Sequence, residues 1–122
     1  DCGELNLLFP IDGGQVTGWF GWVHTGTDIS APWGTSIKAV TEGIVVHSGW
    51  AVGGWGWSVW VNNNGWSHRY AHLSQTIVDV GQYVQKGQVI GFVGSSGASS
   101  GNHVHVEWSC NSKLLDALQY IK

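Results

Sequence analysis

The stretch "GNHVHVEWSC", residues 101–110, alternates polar and apolar side chains in the manner of a β-strand. Side chains along a strand point to opposite faces with a period of two. One face would therefore carry His103, His105 and Glu107, and the other would carry Val104, Val106 and Trp108. The apolar face predicts a strand that packs on a core. The paired histidines on the polar face indicate either a solvated surface or a metal site.

Short β-rich runs broken by Gly, Asn or Ser fill most of the chain, and long helical periodicity is nearly absent. Besides "HVHVEW", the runs that predict strands are "QVTGWF", "SIKAV", "GIVVHSGW", "WSVWVNN", "SHRYAHL" and "QVIGFVG". The segment "NNNG", residues 62–65, predicts a tight hairpin. Near the C-terminus, the spacing of four apolar residues predicts one short amphipathic helix: Leu114, Leu115, Leu118 and Ile121. The fold class is therefore mainly β, a compact curled antiparallel sheet with a short C-terminal helix.

Composition narrows the class of protein. The 122 residues, 43% hydrophobic and 11% charged, suit one domain over residues 1–122. A net charge of −3 with only five Lys and Arg residues argues against a nucleic-acid partner. The uncharged run 44–61 contains four glycines, so it predicts two strands around a Gly/Trp loop rather than a membrane span. Nine tryptophans exceed what a small core needs, and some are expected to line a cleft.

The two cysteines, Cys2 and Cys110, lie near opposite ends of the chain. In an exported protein they would form one disulfide, and the alternative is a pair of free thiols. The chain begins at Asp1-Cys2 without a basic and apolar leader, which fits a mature form or an excised domain.

Two further patterns join the H-x-H pair. In "HTGTDIS", interpreted as a loop, His24 and Asp28 flank Gly26, which would let the loop fold tightly enough for both side chains to reach one ion. In "RYAHLS", His72 follows an aromatic residue in a strand. A catalytic zinc takes three protein ligands from imidazole and carboxylate groups and leaves one position open. His24, Asp28 and one histidine of the 103/105 pair would supply that set. The remaining histidines would serve acid–base chemistry.

With these motifs in order, the chain resembles the lysostaphin/LytM-type zinc metallopeptidases, which cut peptide bonds in bacterial peptidoglycan. The resemblance is carried by "HTGTDISAPWGTSIKAVTEGIVVHSGW", "RYAHLS" and "VGQYVQKGQVIGFVGSSGASSGNHVHVEW", and runs from about residue 16 to 108. It implies a curled antiparallel sheet, related to the barrel-sandwich hybrids, with a groove walled by loops near 18–23, 49–57, 62–67 and 95–102. Six tryptophans fall in or beside these loops: Trp19, Trp22, Trp50, Trp55, Trp57 and Trp66.

The resemblance also implies roles for five residues. His24, Asp28 and His105 match the three ligands of one zinc ion per chain. His103 and His72 match the two catalytic histidines, which face the metal and its water without binding the ion. Glu107 shares the face of His103 and His105, where it would orient a ligand or meet solvent.

The chain departs from the family pattern at several positions. Asn102 stands where relatives usually have proline, and no tyrosine precedes the first ligand, where some relatives use one. His68 is interpreted as a solvated histidine or one that supports the site, because strand alternation puts it on one face with Tyr70 and His72. Arg69 is the only basic residue near the motifs, so the sequence favours a small uncharged cross-bridge over an acidic peptide.

The predicted function is therefore a zinc endopeptidase acting on the stem peptides or cross-bridges of peptidoglycan. We expect a secreted or phage-delivered monomer at the cell envelope or outside the cell, with no nucleic-acid partner. One alternative is a non-catalytic module of the same fold that regulates cell-wall complexes. A second alternative is a lipoyl- or biotinyl-type carrier barrel, in which Lys86 in "QKGQ" is a poor match to the modified lysine.

Overall fold

A computed structural model describes residues 4–121, and these form one ten-stranded sheet in which every strand pairing is antiparallel. The strands are β1 Gln15–Gly18, β2 Thr27–Ser30, β3 Ser36–Lys38, β4 Gly43–Ala51, β5 Gly56–Asn63, β6 Trp66–Thr76, β7 Tyr83–Val84, β8 Val89–Val93, β9 His103–Cys110 and β10 Lys113–Leu115. The main path runs β1-β2-β9-β6-β5-β4-β7. Strand β10 adds to β9, and β8 joins β3 to β6. The predicted mainly β class and curled antiparallel sheet are confirmed.

Strand β9 divides its side chains between two environments, as its alternation predicts. Val104, Val106 and Trp108 are at most 2% exposed and belong to the core, whereas His103, His105 and Glu107 lie half-buried on the opposite face. Burial of a large apolar side chain stabilises the fold by about 1.5–3 kcal/mol, so this pattern fixes which face of β9 points inward. The histidines are thereby held on the outer face of a strand in the middle of the sheet.

All seven predicted strands are present, but three strands were not foreseen. The missed strands are β2, β7 and β10. Strand β2 matters most, because the sequence analysis treated "HTGTDIS" as a loop, whereas Thr27–Ser30 pairs with both β1 and β9. Its four residues alternate inward and outward, but so short a run bounded by polar residues carries little periodic signal.

The predicted C-terminal amphipathic helix is wrong in extent. Leu114 and Leu115 lie in β10, and only Ala117–Gln119 forms a single 3₁₀ turn, which is capped by the Asp116 side chain through the Leu118 amide. The first two of the four apolar residues pair with β9 as part of β10, so the i, i+1, i+4, i+7 spacing covers a strand and a turn rather than one helix. The predicted hairpin at 62–65 is confirmed, with Asn64 and Gly65 both at positive φ in a two-residue turn.

A buried polar pair lies on the inner face of β6. His68 and Tyr70 are fully buried, and their Nδ1 and Oη atoms lie 2.6 Å apart. The backbone N–H of Val40 donates to the Tyr70 hydroxyl, so that hydroxyl donates its own proton to His68. Burial lowers the pKa of His68 to about 4, against the opposing effect of a backbone hydrogen bond to Glu42. His68 is therefore a neutral core residue away from the polar face, and its predicted role near the site is wrong.

Two loops meet beside the sheet so closely that Gly56 and Gly97 have no room for a side chain. A Cβ at Gly97 would lie 2.4 Å from the carbonyl oxygen of Gly54, and one at Gly56 would lie 2.5 Å from Ser96. The Ser96 hydroxyl accepts a hydrogen bond from the Trp57 amide and donates one to the Leu73 carbonyl. Segment 94–102 is consequently fixed against 53–56 and β6.

Three further sequence predictions concern regions away from this face. Cys2 lies outside the described residues, so the predicted disulfide stays a prediction, although Cys110 is not a free thiol. Lys86, the lysine considered in the carrier-barrel alternative, donates a hydrogen bond from its ammonium group to the backbone oxygen of Asn6. In the described part of the chain the only helical segment is three residues long, and none there could cross a bilayer.

We predict that His68 makes the fold acid-sensitive. The unfolded chain takes up a proton at this residue near pH 6.5, whereas the folded chain does so only near pH 4. Its contribution to stability is therefore complete above about pH 6.5 and is lost as pH falls to about 4, by about 3 kcal/mol. The free energy of unfolding, measured by urea denaturation of wild type and His68→Phe between pH 4 and 7, should depend less on pH in the variant. Parallel curves would contradict the assignment.

We also predict that Gly97→Ala destabilises the fold. Gly97 has φ +72°, and its new Cβ would meet backbone atoms that cannot move alone. The expected loss is about 1–3 kcal/mol in free energy of unfolding. Gly101→Ala, in the same loop but with nothing within 4 Å of its Cβ position, is the matched control and should change stability by less than about 0.5 kcal/mol. Equal effects in the two variants would show that the close approach at Gly97 is unimportant.

Candidate metal centre

The pairing of β2 with β9 brings three of the predicted residues together. Asp28 lies directly opposite His105 in this pairing, and its Oδ1 is 2.8 Å from His105 Nδ1. His24 precedes β2, and its Nε2 is 3.1 Å from Asp28 Oδ2. One nitrogen or oxygen from each of His24, Asp28 and His105 lies within 4.8 Å of the others, so the three side chains converge on one point.

Each imidazole of this group is oriented through its other ring nitrogen. His24 Nδ1 lies 3.0 Å from the backbone oxygen of Trp19, to which it donates, so that Nε2 is left for a ligand. His105 Nε2 lies 3.0 Å from Glu107 Oε2, and the Thr25 hydroxyl donates to the same oxygen at 2.7 Å. Metal-binding histidines are commonly held by a carbonyl or carboxylate in this way. Glu107 was expected either to orient a ligand or to meet solvent. The structure shows it in contact with His105, a candidate ligand.

Two glycines make this geometry possible, for a reason that the sequence analysis did not give. Gly26 was expected to permit a tight loop, but it approaches β9 so closely that a Cβ would lie 2.4 Å from the Val106 oxygen. A Cβ at Gly18 would lie 2.8 Å from Asp28 Oδ2 and 3.1 Å from the His24 ring. Both positions need the absence of a side chain.

The two predicted catalytic histidines lie beside this group. The rings of His72 and His103 have centroids 5.1 Å apart, and His103 Nε2 is 3.7 Å from Asp28 Oδ1. His103 Nδ1 lies 3.1 Å from the Gly101 oxygen, and His72 Nδ1 lies 2.8 Å from the Ser96 oxygen. Because a backbone carbonyl can only accept, both rings donate from Nδ1 and keep Nε2 free to take a proton. The structure therefore brings all five predicted residues into one cluster.

His72 reaches this cluster through an unusual backbone conformation. Regular alternation along β6 would place its side chain inward with His68 and Tyr70, but its φ of 68° turns it outward. A non-glycine residue at positive φ is uncommon, and such residues concentrate at functional sites. The His72 amide donates to the Trp55 oxygen and its side chain to the Ser96 oxygen, so both neighbouring loops hold this conformation.

The pKa values follow from these contacts. Burial acts to raise the pKa of Asp28, but a hydrogen bond from His105 and the charges of the neighbouring histidines hold that pKa below its ordinary value. Burial acts to lower the pKa of His105, but its bonds to Asp28 and Glu107 raise it to about 9. The two carboxylates thus favour a positive charge at the centre of the group. Burial lowers the pKa of His72, whose ring is therefore neutral at pH 7.

The cluster lies in an open groove of about 470 Å³. Its walls come from residues 24–25, 53–55 and 98–100, so three of the four predicted loop walls contribute to it or adjoin it. The fourth, 62–67, borders a separate cavity instead. Trp55 lines the groove and Trp19, Trp22, Trp50 and Trp57 are exposed, whereas Trp66 is buried and stacks on Trp108 at 4.5 Å. Trp66 is therefore packed in the core rather than in this groove.

The donor set fits zinc better than it fits magnesium or calcium. Two imidazoles and one carboxylate, with an open side toward the groove, make up the ligand set of a catalytic zinc centre. Magnesium and calcium prefer oxygen ligands throughout. The supporting groups missed by the sequence analysis are the carbonyls of Trp19, Ser96 and Gly101 and the hydroxyl of Thr25. Backbone carbonyls leave no mark in a sequence, and a threonine next to a histidine is too common to signal anything.

Comparisons with known proteins agree with this geometry. The model of peptidase family M23 matches residues 22–117. Lysostaphin of Staphylococcus staphylolyticus is 40% identical over 94 residues, which cover 75% of this chain and 20% of that protein. The chain therefore spans about a fifth of this relative.

Solved structures share the fold over nearly the whole chain. The crystal structure of a putative peptidase M23 from Pseudomonas aeruginosa superposes with a TM-score of 0.90 at 36% identity, covering 97% of this chain and 51% of that one. A zinc containing peptidase from Vibrio cholerae gives a TM-score of 0.86 at 27% identity, covering 94% and 40%. With the fold, the motif order and the family match in agreement, this chain belongs to peptidase family M23.

Proposed function

We propose that the protein is a zinc-dependent endopeptidase that hydrolyses peptide bonds in the stem peptides or cross-bridges of bacterial peptidoglycan. The observation that carries the proposal is the convergence of His24, Asp28 and His105 on one point with His72 and His103 beside them. Relatives support the substrate class, since they include lysostaphin and a glycyl-glycine endopeptidase of Staphylococcus capitis, which is 38% identical over 91 residues.

In this proposal His24, Asp28 and His105 hold one zinc ion per chain. A zinc ion there would act as a Lewis acid on the scissile carbonyl and lower the pKa of a coordinated water. The remaining chemistry belongs to the protein. His72 and His103 point Nε2 into the groove with Nδ1–H fixed on a carbonyl, so one neutral ring can accept a proton from the attacking water. That ring then carries the proton on Nε2 and passes it to the leaving amine, and the other ring can donate a hydrogen bond to the oxyanion when it is itself protonated at Nε2.

The groove offers what an extended wall peptide needs. Its walls are built from Gly53, Gly54, Trp55 and the serines at 99 and 100, which can contact a peptide backbone with little steric demand. A substrate attached to an insoluble wall requires an open site, and this groove is open to solvent along its length. We propose that the protein acts as a monomer outside the cell or in the cell envelope, where peptidoglycan is found.

A non-catalytic module of the same fold is the competing function. All five positions of the metal and acid–base cluster are occupied by residues able to perform the chemistry, and their supporting hydrogen bonds are intact. A module that only binds would have no need of a strained His72 or of the carbonyl contacts that fix both tautomers. The arrangement therefore favours the enzyme.

We predict that purified protein binds about one zinc ion, as a single three-ligand centre requires. His24→Ala, Asp28→Ala and His105→Ala should each reduce bound zinc, measured by plasma mass spectrometry after dialysis. His47→Ala is the matched control, because His47 bonds to the Gly49 carbonyl on β4 outside the cluster, and it should keep the metal. Full zinc retention in all three ligand variants would refute the assignment.

We predict that His72→Asn and His103→Gln keep zinc but lose activity by about 10²–10⁴-fold, the usual contribution of a positioned acid–base group. Asparagine is chosen at residue 72 because it tolerates positive φ. Release of free amines from purified peptidoglycans of known cross-bridge type, followed by mass analysis of fragments, measures the loss and identifies the bond cut. Near-wild-type turnover in either variant would remove that histidine from the mechanism. A zinc-loaded wild type that cuts none of these walls would favour the binding module.

A further inference from the structure

A second cavity lies on the same face of the sheet as the metal centre. Its volume is about 520 Å³, and it is bordered by the β5–β6 hairpin and the turn that joins β9 to β10. The lining is mostly polar and includes Asn62, Ser67, Arg69, Glu107, Ser109 and Asn111. Glu107 borders both cavities, so this separate cavity adjoins the metal groove on the side of β6 and β9.

Arg69 is positioned by a row of side chains that crosses four strands. The strand pairings place His47 opposite Trp60, Trp60 opposite Arg69, and Arg69 opposite Glu107. The guanidinium carbon lies 4.1 Å from the centroid of the Trp60 ring and 5.8 Å from that of Trp55. Such stacking is worth about 0.5–2 kcal/mol and keeps the plane of the guanidinium parallel to its support.

The donors of this guanidinium form no hydrogen bond within the part of the chain that the structure describes. No residue in the described range 4–121 accepts a hydrogen bond or forms a close ion pair with Arg69. Its charged neighbour across the strands, Glu107, directs Oε2 to Thr25 and His105 instead. A half-buried guanidinium that lies over an indole and borders a polar cavity has the form that binds carboxylates through two parallel hydrogen bonds.

The strand geometry relates this group to the metal centre. Arg69 pairs with Glu107, which is two residues beyond His105 on β9. At about 3.4 Å per residue, the row of Arg69 lies about 7 Å along the strand from the row of His105. A peptide lying extended across the metal centre would bring a carboxylate to Arg69 within about three residues of the bond being cut.

We propose that Arg69 and the cavity it borders bind a carboxylate of the substrate peptide, so that the enzyme selects anionic peptides over neutral ones. This inference rests on the proposed function, and it replaces the expectation that an uncharged cross-bridge is favoured. That expectation came from counting charges near the motifs. The structure adds that this positive charge is stacked on Trp60 and, among the described residues, forms no hydrogen bond or close ion pair, although Glu107 lies opposite it across the strands.

The test compares peptides that differ only in charge. Zinc-loaded protein is given pentaglycine and penta-alanine, each as the free acid and as the C-terminal amide. A second set carries Glu or Gln two residues after the central bond and ends in an amide. Preference for the free acid alone identifies a terminal carboxylate, whereas preference for Glu over Gln identifies a side chain. The wild type should show at least a tenfold higher kcat/KM for the charged member of one pair.

Variants of Arg69 connect that preference to the guanidinium. Arg69→Gln should reduce the charged-to-neutral ratio to about one, mainly through a higher KM for the charged peptide. Arg69→Lys should give an intermediate ratio, because an ammonium lacks the planar fork. Lys86→Gln removes the same charge on a distant turn and should keep the wild-type ratio. A ratio unchanged in Arg69→Gln, or an equal loss on both peptides of a pair, would overturn the proposal.

Binding measurements keep this inference separate from the proposed function. Calorimetry with zinc-loaded His72→Asn, or with wild type if no peptide is cleaved, measures affinity for the same pairs. A tenfold tighter binding of the charged member that disappears with Arg69→Gln supports the carboxylate site even in a chain without hydrolytic activity. Equal affinities within every pair would refute the carboxylate site, whatever the activity assays show.

Discussion

The pairing of β2 with β9 is the interaction on which the site depends. Asp28 and His105 face each other across these strands, and a slip of one residue would turn one of them into the core. The inner faces of both strands prevent such a slip, because Ile29 and Val104 are fully buried opposite one another. The metal-binding geometry is therefore held by apolar packing on the other side of the same sheet.

The acid–base side of the cluster is held differently, by backbone contacts between loops. His72 faces the groove only because its backbone adopts positive φ, at a cost of order 1–3 kcal/mol. The contacts that offset this cost come from Trp55 and Ser96, in segments that approach each other so closely that Gly56 and Gly97 have no room for a side chain. The close contacts at these glycines thus hold the strained backbone of His72. In this conformation the His72 ring lies next to the candidate metal ligands, where it could accept a proton.

The outer face of the sheet is organised in successive rows rather than as isolated residues. The row of Asp28 and His105 would supply metal ligands in the proposed site. The next row runs from His47 through Trp60 and Arg69 to Glu107; it presents a cation at Arg69 and ends at the carboxylate that contacts His105. Cross-strand neighbours lie close enough to interact directly, so each row acts as a unit. A peptide lying across the rows would contact the candidate metal centre first and the Arg69 guanidinium about 7 Å further along.

The sequence alone determined the mainly β class, seven of the ten strands, the hairpin at 62–65 and the residues of the candidate site, because alternation and motif spacing are local properties. It could not show β2, whose four residues carry too little periodicity, nor the ending of the C-terminal helix after one turn. Strand alternation put His68 and His72 on the same face, near the site. In the structure His68 is buried in the core, whereas the positive φ of His72 turns its side chain outward. Only the tertiary structure decided the contacts that depend on how strands and loops pack together. These are the orienting carbonyls, the contact of Glu107 with His105 and the stacking of Arg69 on Trp60.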